Sequence, residues 1–354
     1  MRWSLGGLFH AIYIGVKSIG GEHMKHEMLV DVRDVEKRFR YGVFFGFTFK
    51  ALDGVSLYIE NKPVIYTVAG ESGSGKTTLA RVILGMLKPE RGYVLYRGRD
   101  IYRLSREEIR WFRKEVQAIF QNPYASFNPL RKVYSYLLDT ALNLAGAHNK
   151  EEAQDIVARA LEIVGLNLDD VINKTPSELS GGQLQRVAIA RALIPKPRLI
   201  VADEPVSMLD ASLRVNILNI FKEAKERMDV SFFYITHDLS TAYYISDIIA
   251  IMYRGWIIEK GPIEVVMEKP SHPYTQMLIE SVPEPDLNKR EKWLLRIKLG
   301  GIEEREFIEQ GCKFRARCPF AFEKCSKEPP EFKLENGVTV RCWLYEDRYN
   351  KAPS

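Results

Sequence analysis

Residues Gly70 to Thr77 read GESGSGKT, an octapeptide whose three glycines and Lys-Thr ending leave few structural options. It follows the apolar run Val64 to Ala69 and leads into a helical pattern from Lys76 to Leu87. A buried strand that turns through glycines into a helix offers a cup of backbone N–H groups, and the helix N-terminus adds a dipole that favours anions. In that context the pattern G-x-x-x-x-G-K-[ST] is a phosphate loop. Lys76 is placed to neutralise the β- and γ-phosphates, and Thr77 to offer its hydroxyl to Mg²⁺. A chance glycine-rich turn is the bland alternative, and the flanking strand and helix argue against it.

A second feature restricts the chemistry. Residues Arg198 to Glu204 read RLIVADE, an apolar strand that ends in two carboxylates. Asp203 is the candidate for the Mg²⁺ shell, and Glu204 for polarising an attacking water. Open α/β sheets place ligands at the carboxyl ends of their strands, so the acid pair is more than a solvated loop. Around these motifs, strands are expected at Leu29 to Val35, Leu52 to Ile59, Val116 to Phe120 and Phe232 to Thr236. Helices are expected at Gln183 to Leu193 and Ala211 to Met228. Such alternation implies a mostly parallel sheet covered on both faces. A helical stretch from about 126 to 180 interrupts it as an insertion.

Residues Leu179 to Arg186, LSGGQLQR, narrow the class of nucleoside triphosphatase. LSGGQ resembles the signature of ATP-binding-cassette (ABC) ATPases. It opens a helix, so Ser180, Gly181, Gly182 and Gln183 can grip a γ-phosphate. In that family the phosphate belongs to nucleotide on the opposite subunit. Further elements of the family pattern occur in order: Gln121 in IFQNPYASFNP as the Q-loop glutamine, SMLD with Asp210 as the D-loop, and His237 in YITHDLS as the switch histidine. Phe39 lies where the family stacks an aromatic on adenine, with Tyr41 as the alternative. Met208 departs from the family, which usually has a small residue there. The resemblance implies an α/β fold: a P-loop NTPase core of the ABC ATPase type with an antiparallel β subdomain, a helical insertion and a small Cys-rich C-terminal element. By the same resemblance, Gly70, Glu71, Ser72, Gly73, Ser74, Gly75, Lys76, Thr77, Thr78, Ser180, Gly181, Gly182, Gln183, Asp210 and Phe39 bind ATP. Glu204, His237 and Gln121 are catalytic, and Thr77, Gln121 and Asp203 hold Mg²⁺.

GESGSGKTT, FQNPYASFNP and SHPYTQMLIESVPEPD (271 to 286) resemble the oligopeptide/dipeptide importer branch, which also contains oligosaccharide importers. That resemblance implies a paralogous ATPase subunit, or a second copy, as partner. It also implies two membrane permease subunits, an extracytoplasmic solute-binding protein, and a peripheral place on the cytoplasmic face of the cell membrane. All four cysteines, Cys312, Cys318, Cys325 and Cys342, fall in the last 43 residues. Four thiolates suit Zn²⁺ or a [4Fe–4S] cluster. Some members of the branch hold a [4Fe–4S] cluster in their C-terminal cysteine element, which makes that cluster the expectation here, ahead of zinc or metal-free thiols.

Composition excludes little else. The net charge of +5, from 51 basic and 46 acidic residues, is scattered, and no nucleic acid is expected as a partner. No apolar run reaches the roughly 20 residues of a membrane helix. A soluble ABC ATPase serving DNA repair or translation is the rival reading, disfavoured by the single cassette and the lack of a heptad run. The expected division is an N-terminal extension over 1–27, an ATPase domain over 28–262 with its helical subdomain at about 126–180, and a C-terminal extension over 263–354.

Overall fold

The computed structural model describes residues 28–41, 47–281 and 310–346. The extension expected over 1–27 lies outside them. Strands β1 (Met28–Tyr41) and β2 (Phe47–Glu60) pair antiparallel along their whole length, each well beyond the sequence runs Leu29 to Val35 and Leu52 to Ile59. β3 (Ile65–Ala69) ends at the phosphate loop, from which α1 (Lys76–Ile83) begins. β4 (Arg91–Tyr96) and β5 (Arg99–Asp100) complete a four-stranded antiparallel sheet in the order β2-β1-β4-β5. Next come α2 (Arg106–Glu115), β6 (Val116–Ile119), α3 (Val133–Thr140), α4 (Lys150–Ile163) and α5 (Gly181–Leu193). Strict alternation follows through β7 (Leu199–Asp203), α6 (Ala211–Met228), β8 (Ser231–Thr236), α7 (Leu239–Ile245) and β9 (Ile248–Tyr253). The described chain closes with β10 (Trp256–Pro262), α8 (Ile263–Glu268), α9 (Pro273–Glu280), β11 (Phe332–Lys333) and β12 (Thr339–Val340).

The second sheet runs β11-β12-β10-β9-β3-β8-β7-β6, parallel from β6 to β9 and antiparallel beyond. Of its parallel strands β3, β7 and β8 are buried at every residue, as their mostly apolar runs require. Side chains alternate between two cores. Ile200, Ala202, Phe232 and Tyr234 join Val133, Leu137, Val157, Leu161, Leu184 and Phe221 on the side of the helical insertion. Leu199, Val201, Phe233 and Ile235 join Leu79, Val82, Val32, Leu57 and Val94, the side of α1 and the antiparallel sheet. A one-residue slip in any of these strands would exchange the two faces.

The insertion is less helical than expected: after α4, residues 164 to 180 hold turns and one short 3₁₀ segment, Pro176–Glu178. The C-terminal region also departs from expectation. It does not stand as a separate cysteine-bearing unit. β12 adds to the main sheet through Glu259 against Val340, and β11 adds to β12. A third core holds it there, with Ile249, Ile251, Tyr253, Trp256 and Ile258 packed against Tyr274, Phe314 and Val338. Within it the fully buried Glu259 accepts from the backbone N–H groups of Ser271 (2.7 Å) and His272 (2.9 Å).

His272 is 1% exposed, and its Nδ1 accepts from the Tyr274 N–H at 3.0 Å. Burial pulls its pKa down to about 3, so the imidazole is neutral in the fold. Because the unfolded chain takes up this proton near the ordinary histidine value, the contribution is full above about pH 6.5 and is lost as pH falls toward 3. His272→Asn, which keeps an acceptor for Tyr274, removes the titration. Urea unfolding midpoints should therefore fall less steeply between about pH 6.5 and 4 in the variant than in the parent.

Candidate functional site

Backbone geometry builds the phosphate loop. Gly70 has φ 152°, and a Cβ there would lie 2.2 Å from the Met252 carbonyl oxygen. Gly75, the N-cap of α1, has φ 110°, and its Cβ would lie 2.3 Å from the Ala51 carbonyl oxygen. Only glycine fits such contacts. The loop is also tied outward: Gly255 N–H donates to the Ser74 carbonyl at 2.8 Å, and Asp53 N–H to the Gly255 carbonyl at 3.0 Å. Ser72 and Gly73 are exposed at the tip, Ser74 is buried, and Thr78 is half-buried on α1.

Lys76 is buried, and its Nζ donates to the carbonyls of Gly70 and Glu71, both at 2.8 Å. Burial lowers its pKa, while the charges of Glu204, Asp203 and Glu71 hold it up. Thr77 Oγ1 donates to Asp203 Oδ1 at 3.2 Å. Burial raises the Asp203 pKa, the Thr77 hydrogen bond lowers it, and the charge of Glu204 raises it further. A hydroxyl and a carboxylate side by side form a hard oxygen pair suited to Mg²⁺, which commonly takes one or two protein oxygens and completes its shell from phosphates and water.

Glu204 follows β7 in a left-handed conformation, φ 48°, with its N–H donating to the Ile235 carbonyl of β8 at 3.0 Å. This turn aims the carboxylate across the strand ends. Gln121 Nε2 donates to Glu204 Oε2 at 3.1 Å, and His237 Nδ1 lies 3.1 Å from Glu204 Oε1. The ends of β3, β6, β7 and β8 thus bring Lys76, Thr77, Asp203, Glu204, Gln121 and His237 into one neighbourhood.

The signature residues lie elsewhere. Ser180 caps α5 through its Oγ, which accepts from the Gln183 N–H (3.2 Å), and Gln183 Oε1 accepts from the Ser180 N–H (3.0 Å). Such a box frees the remaining N–H groups of the first turn for an external anion. Gly181 has open space on its Cβ side, whereas Gly182 packs toward Leu213. Among the described residues no hydrogen bond joins Ser180 or Gln183 to the Lys76–Glu204 group. Asp210 caps α6, accepting from Leu213 N–H (3.0 Å) and Ser212 Oγ (2.8 Å); these bonds hold its pKa below the usual range. Met208 is exposed beside it. Phe39 is 37% exposed on β1, its ring 6.2 Å from Phe49. The side chain of Tyr41, its alternative, lies outside the described residues.

The iron–sulfur expectation for Cys312, Cys318, Cys325 and Cys342 is overturned, and the zinc alternative with it. Among the described residues no group of three or more His, Cys, Asp or Glu is arranged to hold a metal ion. All four cysteines are free, and Cys312, Cys325 and Cys342 are buried. They pack as apolar side chains, Cys312 and Cys325 with Tyr274 and Phe314, Cys342 with Phe332 and Val340. Burial pushes the thiols of Cys312 and Cys318 up and that of Cys342 up to about 12.

Two site neighbours escape sequence reading. Tyr274 Oη accepts from the Glu71 N–H at 3.1 Å, and Arg317 pairs with both Glu71 carboxylate oxygens at 3.1 and 3.2 Å. Tyr274 lies within the SHPYT motif, but nothing in the motif says what it touches. Arg317 is one of several basic residues in its segment and carries no signal of its own.

The family model "ABC transporter" matches residues 52–207, and "Oligopeptide/dipeptide transporter, C-terminal region" matches 258–325. The chain is 39% identical over 309 residues to the putative oligopeptide transport ATP-binding protein YkfD of Bacillus subtilis, covering 86% of this chain and 92% of that one. It is 38% identical over 295 residues to the oligopeptide transport ATP-binding protein OppF of Escherichia coli, covering 83% and 88%. Among solved structures, the ATP-binding cassette MJ0796, a dimer in a post-hydrolysis state bound to ADP and Pi, superposes with a TM-score of 0.59 at 28% identity, over 66% of this chain and 98% of that one. The cassette cbiO1 of Clostridium perfringens, at 24% identity and TM-score 0.59, shares the fold over 75% of this chain and 99% of its own. This chain therefore belongs to the ATP-hydrolysing ATP-binding subunits of ABC transporters and is homologous to the oligopeptide/dipeptide import ATPases.

Proposed function

We propose that this chain drives import of di- and oligopeptides by ATP hydrolysis, working as a peripheral subunit on the cytoplasmic face of the cell membrane. The observation that carries the catalytic part is the Glu204 carboxylate, held between Gln121 and His237 at the strand ends beside the phosphate loop. The cargo follows the relatives, which are oligopeptide transport proteins and match nearly end to end. No described helix is long and apolar enough to cross a membrane, so membrane passage falls to partners. Those partners are two permease subunits and an extracytoplasmic binding protein, with a paralogous ATPase subunit or a second copy completing the pair.

In this reading residues 28–262 form the ATPase domain, with its helical subdomain at about 126–180, and residues from 263 on form the C-terminal extension. The cysteines of that extension are structural thiols. Phe39 stacks on adenine, and the N–H groups within residues 70–78, other than those of Glu71 and Ser74, which donate to Tyr274 Oη and the Glu71 carbonyl, cradle the phosphates. Lys76 turns from its own loop carbonyls toward the phosphate oxygens. Thr77 and Asp203 hold Mg²⁺, with Gln121 alongside; bound there, the ion neutralises charge on the β- and γ-phosphates. Glu204 orients a water in line with the bond to be broken and accepts its proton. His237 and Gln121 fix the carboxylate, and His237 reports the γ-phosphate to the rest of the domain. Ser180 to Gln183 serve the nucleotide on the opposite subunit, and Asp210 lies at the seam.

Three outcomes test the reading. Glu204→Gln should lower ATP turnover by about 10²- to 10⁴-fold, while ATP still promotes association of ATPase subunits in gel filtration; near-normal turnover would sink the role of Glu204. Lys76→Ala should weaken ATP binding by about tenfold or more in titration calorimetry, and unchanged affinity would count against the phosphate-loop assignment. In proteoliposomes holding the complete transporter, peptide-loaded binding protein should stimulate ATPase activity and oligosaccharide should not. The reverse would reassign the cargo and leave the ATPase reading standing.

A further inference from the structure

The phosphate loop is held from outside the nucleotide-binding motifs, by residues more than 200 positions along the chain. Arg317 presents two guanidinium nitrogens to the two carboxylate oxygens of Glu71, at 3.1 and 3.2 Å. Its side chain is 11% exposed and Glu71's 30%, so the pair is only partly screened by solvent. The guanidinium lies 5.9 Å from the ring centres of both Tyr253 and Phe314. Tyr274, fully buried, accepts from the Glu71 N–H and packs on Tyr253 (4.6 Å) and Phe314 (5.5 Å). A second tie reaches the other end of the loop. Lys313 Nζ meets Asp53 Oδ2 at 2.8 Å and donates to the Arg254 carbonyl at 2.7 Å, and the adjacent Gly255 holds Ser74.

We infer that Arg317 and Tyr274 are positioning residues for ATP binding, acting through Glu71 to set the phosphate loop. The inference rests on the nucleotide-site reading proposed above. Neither residue reaches the phosphates. Arg317 fixes the Glu71 side chain in two places, and Tyr274 fixes its backbone. Glu71 in turn supplies, with Gly70, the carbonyls that hold Lys76. A bidentate arginine–carboxylate pair fixes orientation as well as distance. Loosening it leaves the loop and Lys76 with more arrangements to lose when ATP binds, so affinity falls. The C-terminal extension is then part of the ATP site's scaffold.

The test uses the full-length chain, with ATP affinity from titration calorimetry, KM and kcat from steady-state hydrolysis, and fold integrity from circular dichroism. Arg317→Ala should weaken ATP binding by about tenfold and raise KM more than it lowers kcat. Arg317→Lys should recover part of the loss, since it restores the charge without the fork. Arg317→Ala combined with Glu71→Gln should be no weaker than the worse single variant, because both remove one interaction. Tyr274→Phe keeps the aromatic packing and removes only the hydroxyl, and should weaken binding by about threefold. If Arg317→Ala does not fold, Tyr274→Phe decides. Unchanged Kd and KM in the folded variants, alongside weakened binding by Lys76→Ala, overturns this inference alone. Unchanged Kd in Lys76→Ala overturns the nucleotide-site reading and this inference with it.

Discussion

Two backbone contacts hold the site together: the approach of Gly70 to the Met252 carbonyl and of Gly75 to the Ala51 carbonyl. They press the phosphate loop against the end of β9 and against β2 at once, so it is wedged between the parallel sheet and the antiparallel one. Any side chain at either position would collide with the facing backbone carbonyl. Because the loop cannot move independently, α1 starts where its first N–H groups face the strand ends. Lys76 and Thr77, its first two residues, are thereby delivered to Asp203 and Glu204.

Around that wedge the electrostatics are arranged in opposition. Lys76 is driven toward neutrality by burial and kept charged by three carboxylates. Asp203 is driven toward protonation by burial and by Glu204, and restrained by the Thr77 hydroxyl and by Lys76. Lys76 and Asp203 thus favour each other's charged form, whereas Glu204 opposes the ionisation of Asp203. Glu204 is treated differently, with its two oxygens engaged by one amide and one imidazole. Asp203 instead meets a hydroxyl, that of Thr77.

The C-terminal region changes the view of what the ATPase core includes. Its strands extend the main sheet, its aromatic residues share a core with β9 and β10, and its basic residues grip Asp53 and Glu71. The cysteines contribute bulk to that core. Four clustered cysteines and the branch resemblance suggest metal ligands, but clustering in the sequence carries no information on how the thiols are oriented. The structure buries Cys312 and Cys325 with Tyr274 and Phe314, and Cys342 with Phe332.

Local motifs by themselves determined the loop, the acid pair, the signature helix and their order, because each depends on residue types a few positions apart: glycines for the loop, a Ser–Gln box for the helix start, an apolar run before the acids. The full reach of β1 and β2 was not legible: Arg38 to Tyr41 and Phe47 to Lys50 do alternate, but the register shifts between Val32 and Arg38 throw that alternation out of phase with the apolar run before it. Nor was the junction of β12 with β10, a two-residue pairing whose partners lie 80 positions apart. Only the tertiary structure decided that Gln121 and His237 close on one carboxylate, that the signature residues stay apart from it, and that Arg317 and Tyr274 reach the phosphate loop. Those contacts join segments far apart in the chain, and their geometry is set by sheet order and by the packing of the cores, which no local pattern encodes.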